Sequence, residues 1–211
     1  MTASGDMPPE TFRRHAHEVA DWIADYLEGV DAYPVLAQVR PGDIAGRLPA
    51  SPPRLGEPME TILRDFREVI LPGVTHWNHP RFHAYFSITG SGPGILGEAL
   101  AAALNVNAML WRASPAATEL EAVALSWLRQ LLGLPESFDG HINDTASVST
   151  LVALAAARQA ATAGAVREKG LAGGPRLRLN TSEEAHSTVE KGALSVGLGQ
   201  EGVRKIGTDD A

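Results

Sequence analysis

Three small residues, Thr145, Ala146 and Ser147, lie where a predicted strand near 141–143 turns into a predicted helix over 146–163. A helix N-terminus presents free backbone N–H groups and the positive end of the helix dipole. Two hydroxyl groups stand beside them here, and this combination suits a phosphate group. The alternative is an ordinary N-cap, in which the Thr145 hydroxyl only satisfies its own helix. The pattern therefore predicts either a phosphate site at these residues or a simple cap.

A single histidine, His186, follows a predicted strand over 177–180, near the start of a predicted helix over about 185–196. Ligands of open α/β sheets bind at the carboxyl edge of the strands, and both strand-to-helix junctions lie at that edge. One planar cofactor could place its phosphate at Thr145–Ser147 and its ring under the His186 imidazole. The alternative is a surface or capping histidine.

The segment 72–86 is rich in aromatic and histidine side chains. Flat apolar walls with a few polar tips suit a small aromatic ligand, and they equally suit a buried linker packed on a sheet. His76, His79 and His83 have the spacing of metal ligands on one helix face. Because Pro80 would break that helix and no acidic residue is interleaved, we predict no metal site.

The elements of the first half read as helices, because apolar residues recur at three- and four-residue steps. The predicted helices run from after Pro9 to Val30, over 62–70 with an end before Pro72, over about 91–104, and from Ser114 to Leu131. A Pro/Gly-rich connector, 34–58, fits an ordered crossing segment, with disorder as the alternative. In the last helix, Ser114 can act as N-cap and Glu119 and Glu121 lie near the positive end of the dipole. Its expected buried stripe is Leu120, Val123, Ala124, Trp127, Leu128 and Leu131.

After Leu134 short apolar strands alternate with helices, which is the βαβ rhythm of a mainly parallel α/β sheet. The last predicted strand is Val203–Ile206, and a Gly/Ala loop over 163–174 separates two units. Two or three strands cannot complete a doubly covered parallel sheet. We therefore expect the front part of a larger protein, or a subunit whose sheet is completed by another polypeptide.

Composition narrows the classes of function further. The chain has 211 residues, enough to bury a core, and a formal net charge of −7, which argues against a nucleic-acid binder. It contains no cysteine, which excludes disulfides, thiolate nucleophiles and Cys-ligated zinc. The first six residues show no signal-peptide pattern, and the most apolar stretch, 95–104, is too short to span a bilayer. We expect a cytoplasmic protein that binds neither nucleic acid nor membrane.

Five motifs in a fixed order carry a resemblance to a known family. The motifs are Pro72–Trp77, Ala84–Phe86, Trp111 with Ala113–Glu121, Thr145–Ser147 with Thr150–Leu154, and Ala185–Glu190. With these motifs the chain resembles the group II pyridoxal-phosphate-dependent amino acid decarboxylases, most closely those acting on aromatic L-amino acids. The resemblance covers nearly the whole chain but a little under half of such an enzyme.

The resemblance implies an architecture. Residues 1–90 would form an N-terminal helical dimerisation segment and linker. Residues 91–211 would form the first part of a fold-type-I, aspartate aminotransferase-like large domain with a mainly parallel, incomplete sheet. A homodimer with a shared active site is implied, in which the N-terminal helices pack on the partner subunit.

The resemblance also implies roles for individual residues in binding pyridoxal 5'-phosphate and an amino acid. Thr145, Ala146 and Ser147 match the phosphate-binding turn, and His186 matches the catalytic histidine that stacks on the cofactor ring. The residues matched to the substrate pocket are Trp77, Tyr85 and Phe86, with Asn107 and Met109 reaching across the dimer interface into the partner's site.

The implied reaction is decarboxylation of an L-amino acid, with aromatic substrates favoured by the aromatic cluster. Oxidative deamination to an aldehyde and other amino acids stay open, because Asp144, Asn107 and Arg112 depart from the expected pattern. The family also needs a lysine that forms a Schiff base with the cofactor and an Asp on the pyridine nitrogen.

Lys169, Lys191 and Lys205 are the only lysines, and none lies in that lysine motif. We therefore predict that the 211-residue chain alone is inactive. The alternative is a non-catalytic fragment that dimerises with or regulates a full-length relative.

Overall fold

The computed structural model describes residues 7–209, and the chain divides into two compact units that meet between Asn105 and Val106. Helices dominate both units, and a two-stranded parallel sheet lies in the second. The functional division between 1–90 and 91–211 concerns dimerisation and cofactor binding, so it stays a prediction.

In the first unit, helix α1 spans Pro9–Gly29 and helix α2 spans Met59–Asp65. The first begins at a proline, because no intrahelical acceptor is available for an N–H at that position. The second continues as a π-helix over Phe66–Ile70 and then as a 3-10 turn over Leu71–Gly73. The α- and π-helical part ends at Ile70, before Pro72 as predicted, and Pro72 lies in the first turn of the separate 3-10 segment, where proline is tolerated.

Helix α3 spans Gly92–Leu104 and confirms the sequence prediction at both ends. The Ser91 hydroxyl accepts the Gly94 N–H at 3.2 Å and forms the N-cap. At the other end Asn105 adopts a left-handed backbone with φ 47° and donates to the Ala101 carbonyl, which terminates the helix.

The connector 34–58 contacts the chain that follows α2. The His76 N–H donates to the Val35 carbonyl at 3.0 Å. A Cβ atom added to Gly73 would lie 2.7 Å from Cδ1 of Ile44, so glycine permits this close approach. The connector is therefore an ordered crossing segment, as the first of the two alternatives predicts.

Ion pairs join α1 to the α2 region. Arg67 donates to Glu18 at 2.8 Å, and Arg14 lies 2.9 Å from Glu60. The hydrogen bond from Arg67 holds the pKa of Glu18 below its usual value. The pKa of Glu60 is also lowered, mainly by a hydrogen bond to its carboxylate from its own backbone and secondly by the hydrogen bond from Arg14. The buried His15 lies 3.4 Å from Glu18 within this network. Because both carboxylates reach solvent, each pair stabilises the unit only slightly.

In the second unit, helix α4 spans Pro115–Leu131 and ends before Gly133, which has φ +65°. Ser114 occupies the N-cap position but makes no side-chain cap bond. The predicted buried stripe is wrong, since Leu120 is 65% and Leu131 84% exposed. No other element of residues 7–209 buries a residue of this helix.

From α5 onward the predicted order of helix, strand, helix and strand is confirmed. Helix α5 spans Ala146–Ala161, strand β1 Leu179–Ser182, helix α7 Thr188–Ser195 and strand β2 Val203–Ile206. The strands pair in parallel with Leu179 opposite Val203, so α7 is the crossover of a βαβ unit. Strand β1 begins two residues later than predicted.

Two local predictions in this unit are wrong. The segment 141–143 forms no strand, because its Ile142 N–H donates to the Glu121 carboxylate at 3.0 Å instead of to a neighbouring strand. The predicted loop 163–174 contains a short helix, α6, at Val166–Lys169. Short 3-10 turns complete the described chain at Val30–Ala32, Ala45–Arg47 and Gln200–Gly202.

The core of the described residues is small, contrary to the expectation from chain length. Many large apolar residues, such as Phe138 and Leu104, are instead exposed, because the apolar faces of the helices lack covering elements. Within residues 7–209, no helix is both long and apolar enough to cross a membrane. The buried hydrophobic residues are Val30, Leu63, Val69 and Phe82 in the first unit, and Val166, Ala193 and Val196 in the second.

Candidate functional site

The turn at the start of α5 caps the helix and also leaves backbone N–H groups without an acceptor in the described residues. Thr145 is extended, and its hydroxyl accepts the Val148 N–H at 3.2 Å, so the N-cap interpretation is correct. The N–H groups of Ala146 and Ser147 have no acceptor within residues 7–209, and both residues are exposed. The cap therefore leaves two backbone donors facing solvent at the positive end of a 16-residue helix.

His186 lies two residues before the first residue of α7. The Thr188 N–H donates to Nδ1 of His186 at 3.3 Å, and the Thr188 hydroxyl lies 3.1 Å from the same atom. The capping interpretation of this histidine is therefore also correct. Because Nδ1 accepts the backbone bond, a neutral ring carries its proton on Nε2. The ring is exposed, which leaves one face open to a ligand.

The packing of α5 on α7 places the two junctions near one another. A Cβ atom added to Gly192 would lie 3.6 Å from Cγ2 of Thr150 and 2.8 Å from Cδ1 of Leu154. Thr150 and Gly192 are each four residues after the first residue of their helix. At a rise of about 1.5 Å per residue, each helix begins roughly 6 Å along its axis from this contact. At the other end of the pair the Arg158 guanidinium donates to the Val196 carbonyl at 2.8 Å, so the two helices run in the same direction and both junctions lie on the same side of this contact.

Asn107 and Met109 lie between α3 and α4. The Asn107 side-chain oxygen accepts the Met109 N–H at 2.8 Å, so the two residues form one turn. Both are exposed. Trp111 is fixed nearby by a bond from its ring nitrogen to Glu119 at 2.7 Å. The role of this turn in a partner's site stays a prediction.

Aromatic residues of the segment 72–86 form an exposed stack. The rings of Trp77 and Tyr85 are parallel within 7° at 5.7 Å, and Phe82 packs 4.9 Å from Trp77. Tyr85 has φ +56°, an uncommon conformation for a residue with a side chain. Phe86 is 91% exposed. Of the two alternatives, the buried linker holds for Phe82, His76 and His79, whereas Trp77, Tyr85 and Phe86 form an open aromatic surface.

Sequence reasoning missed Asn78, which closes the loop that carries these rings. Its side-chain oxygen accepts the Gly90 N–H at 2.8 Å. The bond joins residues twelve positions apart and so fixes the two ends of the segment 79–89. The only available signal was an Asn side chain beside a His-Pro turn.

The three histidines of this segment serve packing and turn formation. His76 is buried, with Nδ1 2.9 Å from the Tyr26 hydroxyl. Burial, and secondarily the nearby His79, lowers the pKa of His76 below its usual value. His79 accepts the Arg81 N–H at 2.9 Å, whereas His83 is exposed. Across residues 7–209, no three His, Asp or Glu side chains are arranged to hold a metal ion.

Comparison with known proteins identifies relatives of this chain. Residues 41–211 match the family described as Pyridoxal-dependent decarboxylase conserved domain. The phenylacetaldehyde synthase of Rosa hybrid cultivar is 42% identical over 96% of this chain and 40% of its own length. The aromatic-L-amino-acid decarboxylase of Mus musculus is 41% identical over 91% of this chain and 42% of its own length.

A solved structure has the same fold. The crystal structure of Oryza sativa TDC with PLP and tryptamine matches 96% of this chain with a TM-score of 0.87 and 37% identity. The match covers 44% of that chain. The chain thus spans about two fifths of the length of its relatives. The fold-type-I prediction, with an incomplete sheet, is confirmed.

Proposed function

The chain belongs to the pyridoxal-dependent decarboxylase family, and from this membership we propose that it forms the phosphate-binding and ring-contacting part of an aromatic L-amino acid decarboxylase. The family's cofactor is pyridoxal phosphate. The observation that carries the proposal is the packing of α5 on α7, which sets the two helix N-terminal junctions at the same end of the helix pair. One junction offers hydrogen-bond donors for an anion, and the other offers an imidazole ring.

The first junction fits a phosphate group. Ala146 and Ser147 supply two backbone N–H donors without an acceptor in the described chain, and Ser147 adds a hydroxyl. Asp144, whose charge would oppose a phosphate, is exposed and free to turn toward water. Thr145 holds the first turn of α5 in place while these donors bind the anion.

The second junction fits the cofactor ring. His186 is held at Nδ1 by Thr188, which fixes the imidazole plane while Nε2 stays available. When bound, the cofactor supplies the electron sink that stabilises the carbanion left by loss of carbon dioxide. His186 stacks on the pyridine ring and restricts its orientation, and this orientation controls which substrate bond breaks.

The aromatic residues support an aromatic substrate. Trp77, Tyr85 and Phe86 present large exposed apolar surface, which suits a flat side chain. Asn107 and Met109 add side chains from the partner subunit of a homodimer. Residues 1–90 supply the dimerisation segment of that assembly, and 91–211 begin the cofactor-binding domain.

Aldehyde formation is the second candidate reaction, and the 42% identity to a phenylacetaldehyde synthase supports it. Product analysis on the complete gene product separates the two. A decarboxylase converts L-tryptophan, L-tyrosine or L-phenylalanine to the amine and carbon dioxide without consuming oxygen. An aldehyde synthase consumes oxygen and releases ammonia.

We expect the 211-residue chain alone to bind cofactor without turning over substrate. Lys205 pairs with Glu190 at 2.9 Å, and neither Lys169 nor Lys191 lies in the family's lysine motif. Equilibrium dialysis with pyridoxal 5'-phosphate tests binding. Weaker binding is expected for Ser147→Ala and His186→Leu, with Ser195→Ala as the matched control. Equal binding by all four proteins would contradict the proposal and favour a non-catalytic dimerising fragment.

A further inference from the structure

The segment that enters the phosphate-binding turn lies against helix α4 at two neighbouring points. A Cβ atom added to Gly140 would lie 3.1 Å from Cδ2 of Leu125. Two residues on, the Ile142 N–H donates to Oε1 of Glu121 at 3.0 Å. Glu121 and Leu125 are four residues apart and share one face of the helix. This face therefore holds the chain four to six residues before Ala146, the first donor of the turn.

The Glu121 carboxylate has a second partner in the same segment. Nδ1 of His141 lies 3.0 Å from the same oxygen that accepts the Ile142 N–H. The Glu121 side chain is 27% exposed, so the hydrogen bond from Ile142 forms in a partly desolvated place. The carboxylate thus contacts two successive residues, through a hydrogen bond at Ile142 and a close approach at His141.

The far end of the segment is tied to α5. The Asn143 amide donates to the Ser149 hydroxyl at 3.1 Å. The bonds at Ile142 and Asn143 together restrict the conformation of the chain just before Thr145. Since 141–143 has no strand partner within the described residues, Glu121 is the acceptor that sets its position.

We propose that Glu121 is a positioning residue for the phosphate-binding turn, an inference that rests on the proposed function. The carboxylate fixes Ile142 and thereby the location of the Ala146 and Ser147 N–H donors. Glu121 acts through the turn and does not touch the cofactor.

Two ligands separate this role from a general structural one. Pyridoxal 5'-phosphate and pyridoxal differ only in the phosphate group. The dissociation constant of pyridoxal divided by that of pyridoxal 5'-phosphate therefore measures how much the turn contributes to binding. We expect Glu121→Leu to weaken binding of the phosphorylated ligand about tenfold and to leave pyridoxal within about twofold. Glu121→Gln retains an acceptor for Ile142 and restores most of the ratio. Glu119→Leu, an acid of the same helix that binds Trp111, leaves the ratio unchanged.

Ile142→Pro provides a second variant, because it removes the N–H and leaves the carboxylate in place. Ile142→Pro reduces the ratio as Glu121→Leu does. The variant that carries both substitutions shows no further reduction of the ratio. If Glu121→Leu weakens binding of both ligands equally, or of neither, the inference is overturned while the proposed function stands. A wild-type chain with no preference for the phosphorylated ligand overturns the proposed function, and this inference with it.

Discussion

Gly192 of α7 lies so close to Leu154 of α5 that a Cβ atom added to the glycine would be 2.8 Å from Cδ1 of the leucine. Only glycine permits this approach without movement of the leucine. The contact lies one turn into both helices and keeps their N-terminal ends near one another. The proposed cofactor site therefore depends on a residue that binds nothing.

Substitution of this glycine tests the dependence. We expect Gly192→Val to lower the free energy of unfolding by about 1–3 kcal/mol, because the added methyl groups overpack the contact. Urea denaturation measures the change. Gly97→Val is the matched control, since Gly97 is a helical glycine with nothing within 4 Å of its Cβ position. Equal effects at both glycines would show that helix packing is not the cause.

The Asn78 bond is expected to order the aromatic loop. Removing the acceptor in Asn78→Leu frees the Gly90 N–H, so its hydrogen exchange accelerates roughly five- to tenfold, as the loss of about 1 kcal/mol implies. The near-ultraviolet circular dichroism of the Trp77–Tyr85 stack weakens in the same variant. Asn78→Asp keeps an acceptor and preserves both signals. Unchanged exchange at Gly90 in the leucine variant would show that the bond does not order the loop.

His76 is expected to make the first unit less stable in mild acid. Its folded pKa lies below its usual value of 6.5, so the unfolded chain takes up a proton that the folded chain resists. Stability is therefore fully present above about pH 6.5 and falls as the pH drops through the folded pKa. Urea unfolding at about pH 8 and about pH 5.5 measures the decrease in the free energy of unfolding. We expect a smaller decrease in His76→Asn.

The matched control is His83→Asn, which makes the same chemical change at an exposed neighbour. It keeps the acid sensitivity of the wild type, because His83 is not buried. Glu18 and Glu60 also lose stabilisation in acid, but only as the pH falls below their usual value of 4.5. An acid sensitivity identical in the wild type and His76→Asn would contradict the assignment.

Thr145 is expected to stabilise α5 as well as the turn. Thr145→Val removes the acceptor for the Val148 N–H and costs about 1 kcal/mol of stability. Thr145→Ser keeps the hydroxyl and most of that stability. Thermal unfolding followed at 222 nm compares the two. Equal stability in all three proteins would mean that the cap bond contributes nothing.

Local signals were sufficient to predict several elements from sequence. Ser91 and Pro93 define the start of α3, and the apolar run Val203–Ile206 defines β2, because capping and strand propensity act over a few residues. The cap of α5 was also predictable in this way, since Thr145 binds the Val148 N–H only three residues away.

Features that depend on distant partners were not predictable in this way. The segment 141–143 has the composition of a strand, but a strand needs a neighbour to pair with. Glu121 was assigned to the helix dipole, yet it lies beyond the first turn of α4 and binds Ile142, which is 21 residues away in sequence. The π-helix Phe66–Ile70 has no sequence signal that we identify.

Titration of the isotopically labelled chain with pyridoxal 5'-phosphate, followed by NMR, tests most directly whether one molecule occupies both junctions. We predict that the amide signals of Ala146 and Ser147 and the ring signals of His186 shift together with one dissociation constant. Inorganic phosphate shifts only the two amides. Separate dissociation constants for the amides and the ring, or movement of only one set with the cofactor, would contradict a shared site.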